Sequence, residues 1–416
     1  MKSKIAIIGL GYVGLPLAIG FSKFHEVIGF DINPNRVHQL NQGVDSTGEK
    51  DLRNIKKKII FTDSEKELKN IDIFIVTVPT PIDIYNNPDL SHLRNASKIV
   101  GRNIRKNGFV IYESTVFPGC TEEECVPIIE KISKFKLNRD FFCGYSPERI
   151  NPGDKKNNLE NIIKVVSGSN EFAAKKINQL YKKIIKAGTH LAPNIKVAEG
   201  AKVIENIQRD VNIALINELS ILFRKMGIDF KSTLAAANTK WNFLDFKPGL
   251  VGGHCIGVDP YYLTHKSKEF NFHPEMILAG RRVNDYMGRY IGIEFLKHLN
   301  NKKFNLRNVK IIVLGYTFKE NCPDTRNTKV IDILNHLKEN DLEYSIYDPY
   351  VDPKNIKNLK FIYMKDIKKY DAVILAVPHK KFLEKNFKMV KNLIKKKHFI
   401  FDVKGVLPDS FQKETL

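Results

Sequence analysis

Short apolar runs recur along the first part of the chain, each closed by glycine, aspartate, proline or serine. They are Lys4-Ile-Ala-Ile-Ile8, Glu26-Val-Ile-Gly-Phe30, Ile71-Asp-Ile-Phe-Ile-Val-Thr-Val78, Phe109-Val-Ile-Tyr-Glu113 and Phe141-Phe-Cys-Gly144. Continuous rather than alternating apolar residues predict strands buried on both faces. The helical stretch Leu15–Phe21 after the first run makes the pattern that of a parallel α/β sheet. From about Val197 the spacing changes, and apolar residues recur at helical intervals as far as Met226, where Gly227 stops them. One long helix is predicted there, a spine between domains and a surface for a homodimer. From Asn308 the first pattern returns. Val309-Lys-Ile-Ile-Val-Leu-Gly315-Tyr316 echoes Ile5–Tyr12, Tyr344–Asp348 echoes Val27–Asp31, and Tyr370–Pro378 echoes Ile71–Pro79. The predicted fold is α/β: two Rossmann-like doubly wound domains, residues 1–195 and 304–416, joined by a central all-helical domain, 196–303, with one long helix.

Charge alters this picture little. The formal net charge is +21 over 416 residues. The lysines are spread along the chain, as in Asn54–Ile60 and Lys391–Lys397, which predicts a solvated basic surface and no nucleic-acid partner. Such a surface still helps to attract a polyanion such as a nucleotide. Five cysteines without a Cys-x-x-Cys pair, and no His-Glu-x-x-His, predict neither a disulfide framework nor a metal site. No apolar run reaches membrane-spanning length and no signal-peptide layout opens the chain, so a cytoplasmic protein without a membrane partner is expected.

Candidate chemistry sits at the strand ends. Gly9-Leu-Gly11-Tyr12-Val13-Gly14 follows the first strand and precedes a helix, with Asp31 about twenty residues on. This is a dinucleotide fingerprint in its required context. Gly9 permits the turn, Gly11 lets the backbone approach a pyrophosphate, and Gly14 allows close helix–strand packing. Asp31 would accept from a ribose 2′-hydroxyl, which favours NAD over NADP, while Arg36 is near enough to soften that preference. Thr80 with Pro81, then Ser114 and Thr115, follow later strands, where ligands of open α/β sheets bind. The same hydroxyls also suit ordinary turn chemistry. Glu148, beside Arg149, is a general-base candidate after a further strand; such a neighbouring pair is otherwise an exposed ion pair. Lys202 and Asn206 share one helix face. In Phe246–Tyr262, Cys255 follows Gly252 and Gly253 and precedes Asp259, with Gly249 and Gly257 nearby. A thiol on so flexible a turn suits reaction better than packing. The second domain's first turn lacks the glycine triplet and carries Lys319 and Arg326 instead, groups suited to a different anion.

Taken together these residues resemble the UDP-glucose/GDP-mannose dehydrogenase superfamily over essentially the whole chain. Gly9–Gly14, Val78-Pro-Thr-Pro81, Ser114-Thr115, Lys202 with Asn206, Gly252-Gly-His-Cys255 with Asp259, and Lys319 followed by Asp324-Thr-Arg326 come in family order. Tyr145–Asp154, Thr239–Leu244 and His254 before the cysteine look like the UDP-N-acetylhexosamine branch, of the Vi-polysaccharide type that oxidises UDP-GlcNAc or UDP-GalNAc. The resemblance implies four-electron oxidation of a sugar C6 alcohol to the acid, with two NAD reduced, for a surface polysaccharide such as a capsule. It implies that Lys202 and Asn206 stabilise the oxyanion, Asp259 positions water or the lysine, and Cys255 carries the intermediate. Glu148 would activate the hydrolytic water, and Thr115 would hold a water at the reacting carbon. Gly9, Gly11, Tyr12, Val13, Gly14, Asp31, Arg36, Thr80, Pro81, Ser114, Thr115 and Arg326 would meet NAD. Glu148, Arg149, Asn151, Lys202, Asn206, Phe246, Gly249, Gly252, Gly253, Phe318 and Lys319 would meet the sugar nucleotide. A UDP-glucose enzyme, a simpler hydroxyacid dehydrogenase that makes one NADH, and a non-enzymatic binder of NAD or nucleic acid are the competing readings.

Overall fold

The computed structural model describes residues 3–47, 52, 59–150, 158–411 and 413–416. Two compact units divide the chain, Met1–Asn206 with Tyr261–His273, and Ile207–Pro260 with Pro274–Leu416.

In the first unit β1 (Lys4–Ile8), α1 (Gly14–Phe21), β2 (Glu26–Phe30), α2 (Pro34–Asn41), β3 (Ile59–Thr62) and β4 (Ile71–Val76) come first. Then follow α3 (Ser91–Asn103), β5 (Ile104–Tyr112), α4 (Val126–Ser133), β6 (Phe141–Tyr145), β7 (Lys164–Gly168), α5 (Glu171–Lys182) and β8 (Thr189–Leu191). The strands form one sheet in the order β3-β2-β1-β4-β5-β6-β7-β8. Its first six follow the doubly wound order, with the chain reversing direction of travel between β1 and β4. Ile5, Ile7, Val27, Ile75 and Ile111 are buried with Leu17 and Phe21 of α1 and Tyr181 of α5, which is why the strand sequences read as unbroken apolar runs. Local chemistry sets the helix starts. Asn33 accepts from the N–H groups of Asn35 and Arg36 ahead of Pro34, and Asn170 accepts from Ala173 N–H to begin α5.

One pairing departs from the parallel scheme, so that β7 and β8 run opposite to the first six strands. β7 pairs antiparallel with β6, Gly144 opposite Gly168 and Tyr145 opposite Ser167. Its first residue, Lys164, therefore lies beyond the end of β6, at the carboxyl edge of the first six strands.

The long helix α6 (Ile195–Lys225) runs for 31 residues, and its first turns belong to this unit. The second unit takes the rest of it, then α7 (Phe230–Ala237), the start of α8 (Asp259–Ser267) and the 27-residue α9 (Glu275–Asn301). Among the described residues no strand falls between α6 and α9. The second sheet comprises β9 (Ile311–Leu314), β10 (Tyr344–Tyr347), β11 (Tyr370–Leu375), β12 (Ile394–Asp402) and β13 (Lys413–Thr415), with α10 (Val330–Glu339) and α11 (Lys380–Leu393) in its crossovers. Its order is β10-β9-β11-β12-β13, and every pairing is parallel. Alternate residues bury on opposite faces. Ile311, Val313, Ala372, Ile374, Phe399 and Phe401 join one core, while Ile312, Leu314, Val373, Leu375 and Ile400 join the other. Two doubly wound α/β sheets and a long central helix are thus present, as the periodicity predicts.

Candidate active site

The cradle after β1 is built from backbone. Gly9 has φ of +94°, and its N–H donates to Phe30 O at 2.8 Å. A Cβ on Gly14 would overlap the Gly9 carbonyl oxygen, so only glycine lets α1 start this close to the turn. A Cβ on Gly11 would meet nothing within 4 Å, so that face of the turn is open to a ligand. Val13 is the N-cap of α1, and no acidic side chain lies in the first turn to repel a phosphate. These features fit the pyrophosphate of a dinucleotide.

Asp31 stands at the end of β2 with both oxygens oriented. Oδ2 accepts from Leu10 N–H at 2.8 Å and Oδ1 from Asn33 N–H at 2.9 Å. Arg36 is differently placed from the sequence expectation. It is buried, and its Nε donates to Leu10 O at 2.9 Å while Nη1 donates to Ser46 Oγ at 3.0 Å. Its Nη2 lies 2.9 Å from Asp45. The guanidinium braces the loop from inside.

At the ends of β4 and β5 the hydroxyls stitch two loops together. Ser114 Oγ donates to Val78 O at 2.6 Å, and Thr80 Oγ1 donates to Thr115 O at 2.7 Å. Their protons serve turn chemistry, which leaves the oxygens as acceptors. The Tyr262 hydroxyl donates to Thr80 O at 2.9 Å beside Pro81. Thr115 is half-buried.

Glu148 and Arg149 do not pair with each other's charge. Glu148 Oε1 accepts from the N–H groups of Arg149 and Ile150, both at 2.6 Å, and Oε2 lies 3.2 Å from Lys164 Nζ. Arg149 reaches α6, with Nη2 2.6 Å from Glu205. Lys202, one turn before Asn206 on that helix, is buried rather than solvated. Also on α6, Glu199 is fully buried and accepts from Gly119 N–H at 2.5 Å and Thr121 N–H at 2.9 Å. Burial pushes its carboxyl up to about 7. Asn151 lies outside the described residues.

The cysteine loop belongs to the second unit. Cys120, Cys125, Cys143 and Cys322 are buried, whereas Cys255 is half-buried. Its carbonyl accepts from Asp259 N–H at 2.8 Å and Val258 N–H at 3.0 Å, so the thiol-bearing residue leads directly into α8. Gly253 has φ of +86°, and a Cβ there would come within 2.6 Å of the Phe318 ring. A Cβ on Gly252 would come within 2.6 Å of Asn327 O. The loop is therefore laid against the segment that follows β9. His254 meets the Phe318 ring edge-on at 5.8 Å, and its Nδ1 lies 3.6 Å from Asp324. Arg326 Nε donates to Asp324 Oδ1 at 3.0 Å. Burial opposes it, but hydrogen bonds from Arg326 hold the Asp324 carboxyl below its usual range. Lys319 Nζ lies 5.6 Å from the centre of the Phe318 ring. Phe246 packs against the Ile216, Phe230 and Leu234 cluster, so part of its surface serves the core.

Sequence reasoning missed the groups that brace this loop. Asn217 of α6 accepts from Gly249 N–H at 2.8 Å and donates to Gly249 O at 3.0 Å. It also donates to Asn284 of α9 at 2.9 Å, and Asn284 donates to Asp210 at 2.7 Å. Arg281 closes the network on Asp210 at 2.7 Å. Two long helices separated in sequence supply these groups, and only a polar residue on an otherwise apolar face hints at them.

Among the described residues no group of metal-ligating side chains is present, and no helix is long and apolar enough to cross a membrane. A glycine cradle with an oriented acid, in a sheet of doubly wound order, defines a dinucleotide-binding protein. Comparison narrows the class. Residues 3–185 match the NAD binding domain of the UDP-glucose/GDP-mannose dehydrogenase family, 196–286 its central domain and 312–409 its UDP binding domain. The chain belongs to this family and is an NAD-dependent nucleotide-sugar dehydrogenase. It is 50% identical over 411 residues to the UDP-N-acetyl-D-glucosamine 6-dehydrogenase of Pseudomonas aeruginosa, covering 98% of this chain and 97% of that one. The enzyme of the same name from Salmonella typhi is 51% identical, with 97% and 96% covered. Among solved structures, the UDP-D-ManNAc dehydrogenase from Pyrococcus horikoshii matches with a TM-score of 0.87 at 30% identity, covering 99% of this chain and 98% of that one.

Proposed function

We propose that this protein oxidises the C6 alcohol of a UDP-N-acetylhexosamine, UDP-GlcNAc or UDP-GalNAc, to the uronic acid. The observation that carries the reading is Cys255, half-buried on a glycine-rich turn while the other four thiols are buried. The two relatives named for UDP-N-acetyl-D-glucosamine support the choice of sugar. NAD would be held by Gly9–Gly14 and Asp31, with Tyr12, Thr80, Pro81, Ser114 and Arg326 at its margins, and two molecules bound in turn would each accept one of the two hydrides released.

The protein's own groups divide the remaining work. Lys202 and Asn206 stabilise negative charge on the C6 oxygen as the alcohol loses its proton, and Asp259 orients the lysine or a water. The Cys255 thiolate adds to the aldehyde carbon, forming a C–S bond and a thiohemiacetal. Loss of a second hydride leaves a thioester. Glu148 takes a proton from water as its oxygen adds to the thioester carbonyl; the C–S bond then breaks, and the thiolate recovers a proton. Thr115 holds a water at this carbon. Arg149, Asn151, Phe246, Gly249, Gly252, Gly253, Phe318 and Lys319 are assigned to the sugar nucleotide.

The segments 1–195, 196–303 and 304–416 are assigned to NAD, to the cysteine loop with dimerisation, and to UDP. Val197, Ile204, Leu215, Leu222 and Met226 of the long-helix region are exposed apolar residues, which supports a homodimer through 197–226. We assign the reaction to the cytoplasm and its product to a surface polysaccharide. The test is stoichiometry on purified protein with UDP-Glc, UDP-GlcNAc and UDP-GalNAc. Two NADH per N-acetylhexosamine are expected; one NADH per sugar would indicate simple alcohol oxidation, and preference for UDP-Glc would move the substrate.

A further inference from the structure

The carboxyl edge of the first sheet holds more buried charge than the reaction above uses. Glu113, one residue beyond β5, is buried together with Lys164 and Tyr181. Lys164 Nζ lies 2.5 Å from Glu113 Oε2 and 3.2 Å from Glu148 Oε2. The Tyr181 hydroxyl from α5 donates to the other oxygen of Glu113, and the ammonium lies 5.6 Å from the Tyr181 ring centre. A packed apolar trio would cost the fold less than these desolvated charges. The antiparallel turn of β7 is what brings the lysine to this edge at all.

We propose that Glu113 and Lys164 are positioning residues for Glu148, holding its carboxylate in one orientation and deciding when it is released to water during thioester hydrolysis. The proposal rests on the assignment of Glu148 as the group that activates water. Both oxygens of Glu148 are committed, one to two backbone N–H groups at 2.6 Å and the other to Lys164. Among the described residues the lysine is the only side-chain cation in that set, and Glu113 competes for it. Among the described residues, Lys164 of β7, Glu148 of the segment after β6 and Tyr181 of α5 are the titratable groups that face Glu113; Arg149, next along, is engaged with Glu205. Burial pushes the Glu113 carboxyl up to about 7 against the pull of Lys164, with Glu148 adding to the rise. When Glu113 is neutral, the Lys164 ammonium is left to Glu148 and holds its Oε2 away from an incoming water. When Glu113 ionises, the ammonium is drawn to it and Oε2 of Glu148 is left to meet the water. Hydrolysis therefore accelerates as pH rises through about 7, with Glu113 as the titrating group.

The test is acid-quenched intact mass of the enzyme after mixing with UDP-GlcNAc and NAD, from pH 6 to 9, for wild type, Glu148→Gln, Glu113→Gln and Lys164→Met. Glu148→Gln is expected to hold the acyl group on Cys255 at every pH. Glu113→Gln should bind NAD and UDP-GlcNAc as wild type does, deacylate about tenfold more slowly above neutrality, and lose the inflection. Normal deacylation by Glu148→Gln would remove the base assignment itself. A stalled Glu148→Gln together with a wild-type pH profile in Glu113→Gln would overturn the positioning role alone. Should either single variant fail to fold, the Glu113→Gln/Lys164→Met pair removes both buried charges together, and a wild-type inflection there refutes the proposal equally.

Discussion

Asp31 and Arg36 make a prediction about cofactor choice that the geometry sharpens. Replacing Asp31 by alanine removes the carboxylate assigned to the ribose hydroxyls. A hydrogen bond to a charged group contributes about 1.5–3 kcal/mol, so NAD should bind roughly 10- to 150-fold more weakly. The same change removes the repulsion of a 2′-phosphate. It does not supply a cation, because Arg36 is held by Leu10 O at 2.9 Å, Ser46 at 3.0 Å and Asp45 at 2.9 Å. Burial opposes ionisation of Asp45, yet hydrogen bonds from Thr47 and Arg36 keep its carboxyl below the usual range, so the pair stays charged. NADP affinity should therefore rise only a few-fold in Asp31→Ala. In Asp31→Ala/Asp45→Asn the guanidinium is released from its carboxylate, and NADP should gain about tenfold more, one charge-assisted contact. Calorimetric titration of both cofactors against the three proteins measures this directly. Thermal melts control for the loss of the Leu10 and Asn33 N–H contacts to Asp31. NADP binding as tight as NAD in the single variant, or unchanged NAD affinity, would refute the reasoning.

Three further outcomes are expected. Cys255→Ser should bind UDP-GlcNAc normally and form no acid, read by product chromatography; normal turnover would remove the thiol from the reaction. Gly253→Val forces a β-branched residue to φ of +86° and against the Phe318 ring, so the loop must shift and turnover should fall at least tenfold while NAD binding persists. Glu199 carries the pH dependence of its region. Its folded-state pKa of about 7 is raised above the ordinary 4.5, so its contribution is complete below about pH 4.5 and is lost as pH rises through about 7. That shift is worth roughly 3 kcal/mol. Hydrogen exchange of the Gly119 and Thr121 region should show opening that becomes easier by this order between pH 5 and 8, and Glu199→Gln should flatten the slope. Exchange is the suitable probe because Trp241, the one tryptophan of the chain, reports on the other unit.

What the sequence shows follows from what each residue does locally. Strands buried on both faces announce themselves, as Lys4–Ile8 and Ile71–Val76 do, since every position but Lys4 and Asp72 is apolar. The edge strand Ile59–Thr62 does not, because Ile60 faces outward and lysines precede it. Lys164–Gly168 is short and opens with a cation, and α9 mixes glycine and arginine into its buried face, so neither has a clean period. At the site, the glycine turns are legible because few other uses exist for such spacing. Direction is not. The guanidinium of Arg36 turns inward to Leu10, and Glu113 meets a lysine 51 residues away. Pairings at that separation exist only once the sheet order and the antiparallel turn of β7 are known.

The internal repeat explains why two such similar sheets should hold different ligands. In the second sheet Gly315 has φ of +87° and its N–H donates to Tyr347 O at 2.9 Å, reproducing the Gly9 and Phe30 pairing. Asp348 occupies the place of Asp31, accepting from Tyr316 N–H at 2.7 Å and Tyr350 N–H at 2.8 Å. There the likeness ends. His379, in the position of Thr80, brings Nε2 to 2.9 Å from Asp348, and both side chains are fully buried. The Asn321 N–H donates to Nδ1 at 2.9 Å, which leaves Nε2 carrying the proton toward the carboxylate. Burial opposes it, but the bonds from His379 and the Tyr316 and Thr317 N–H groups keep Asp348 below the usual carboxylate range. An acid so enclosed cannot accept from a ribose without expelling the imidazole. One scaffold thus keeps a half-buried acid where a dinucleotide must be read and seals it where the second ligand is held by other groups, which is why the fingerprint survives in only one half of the chain.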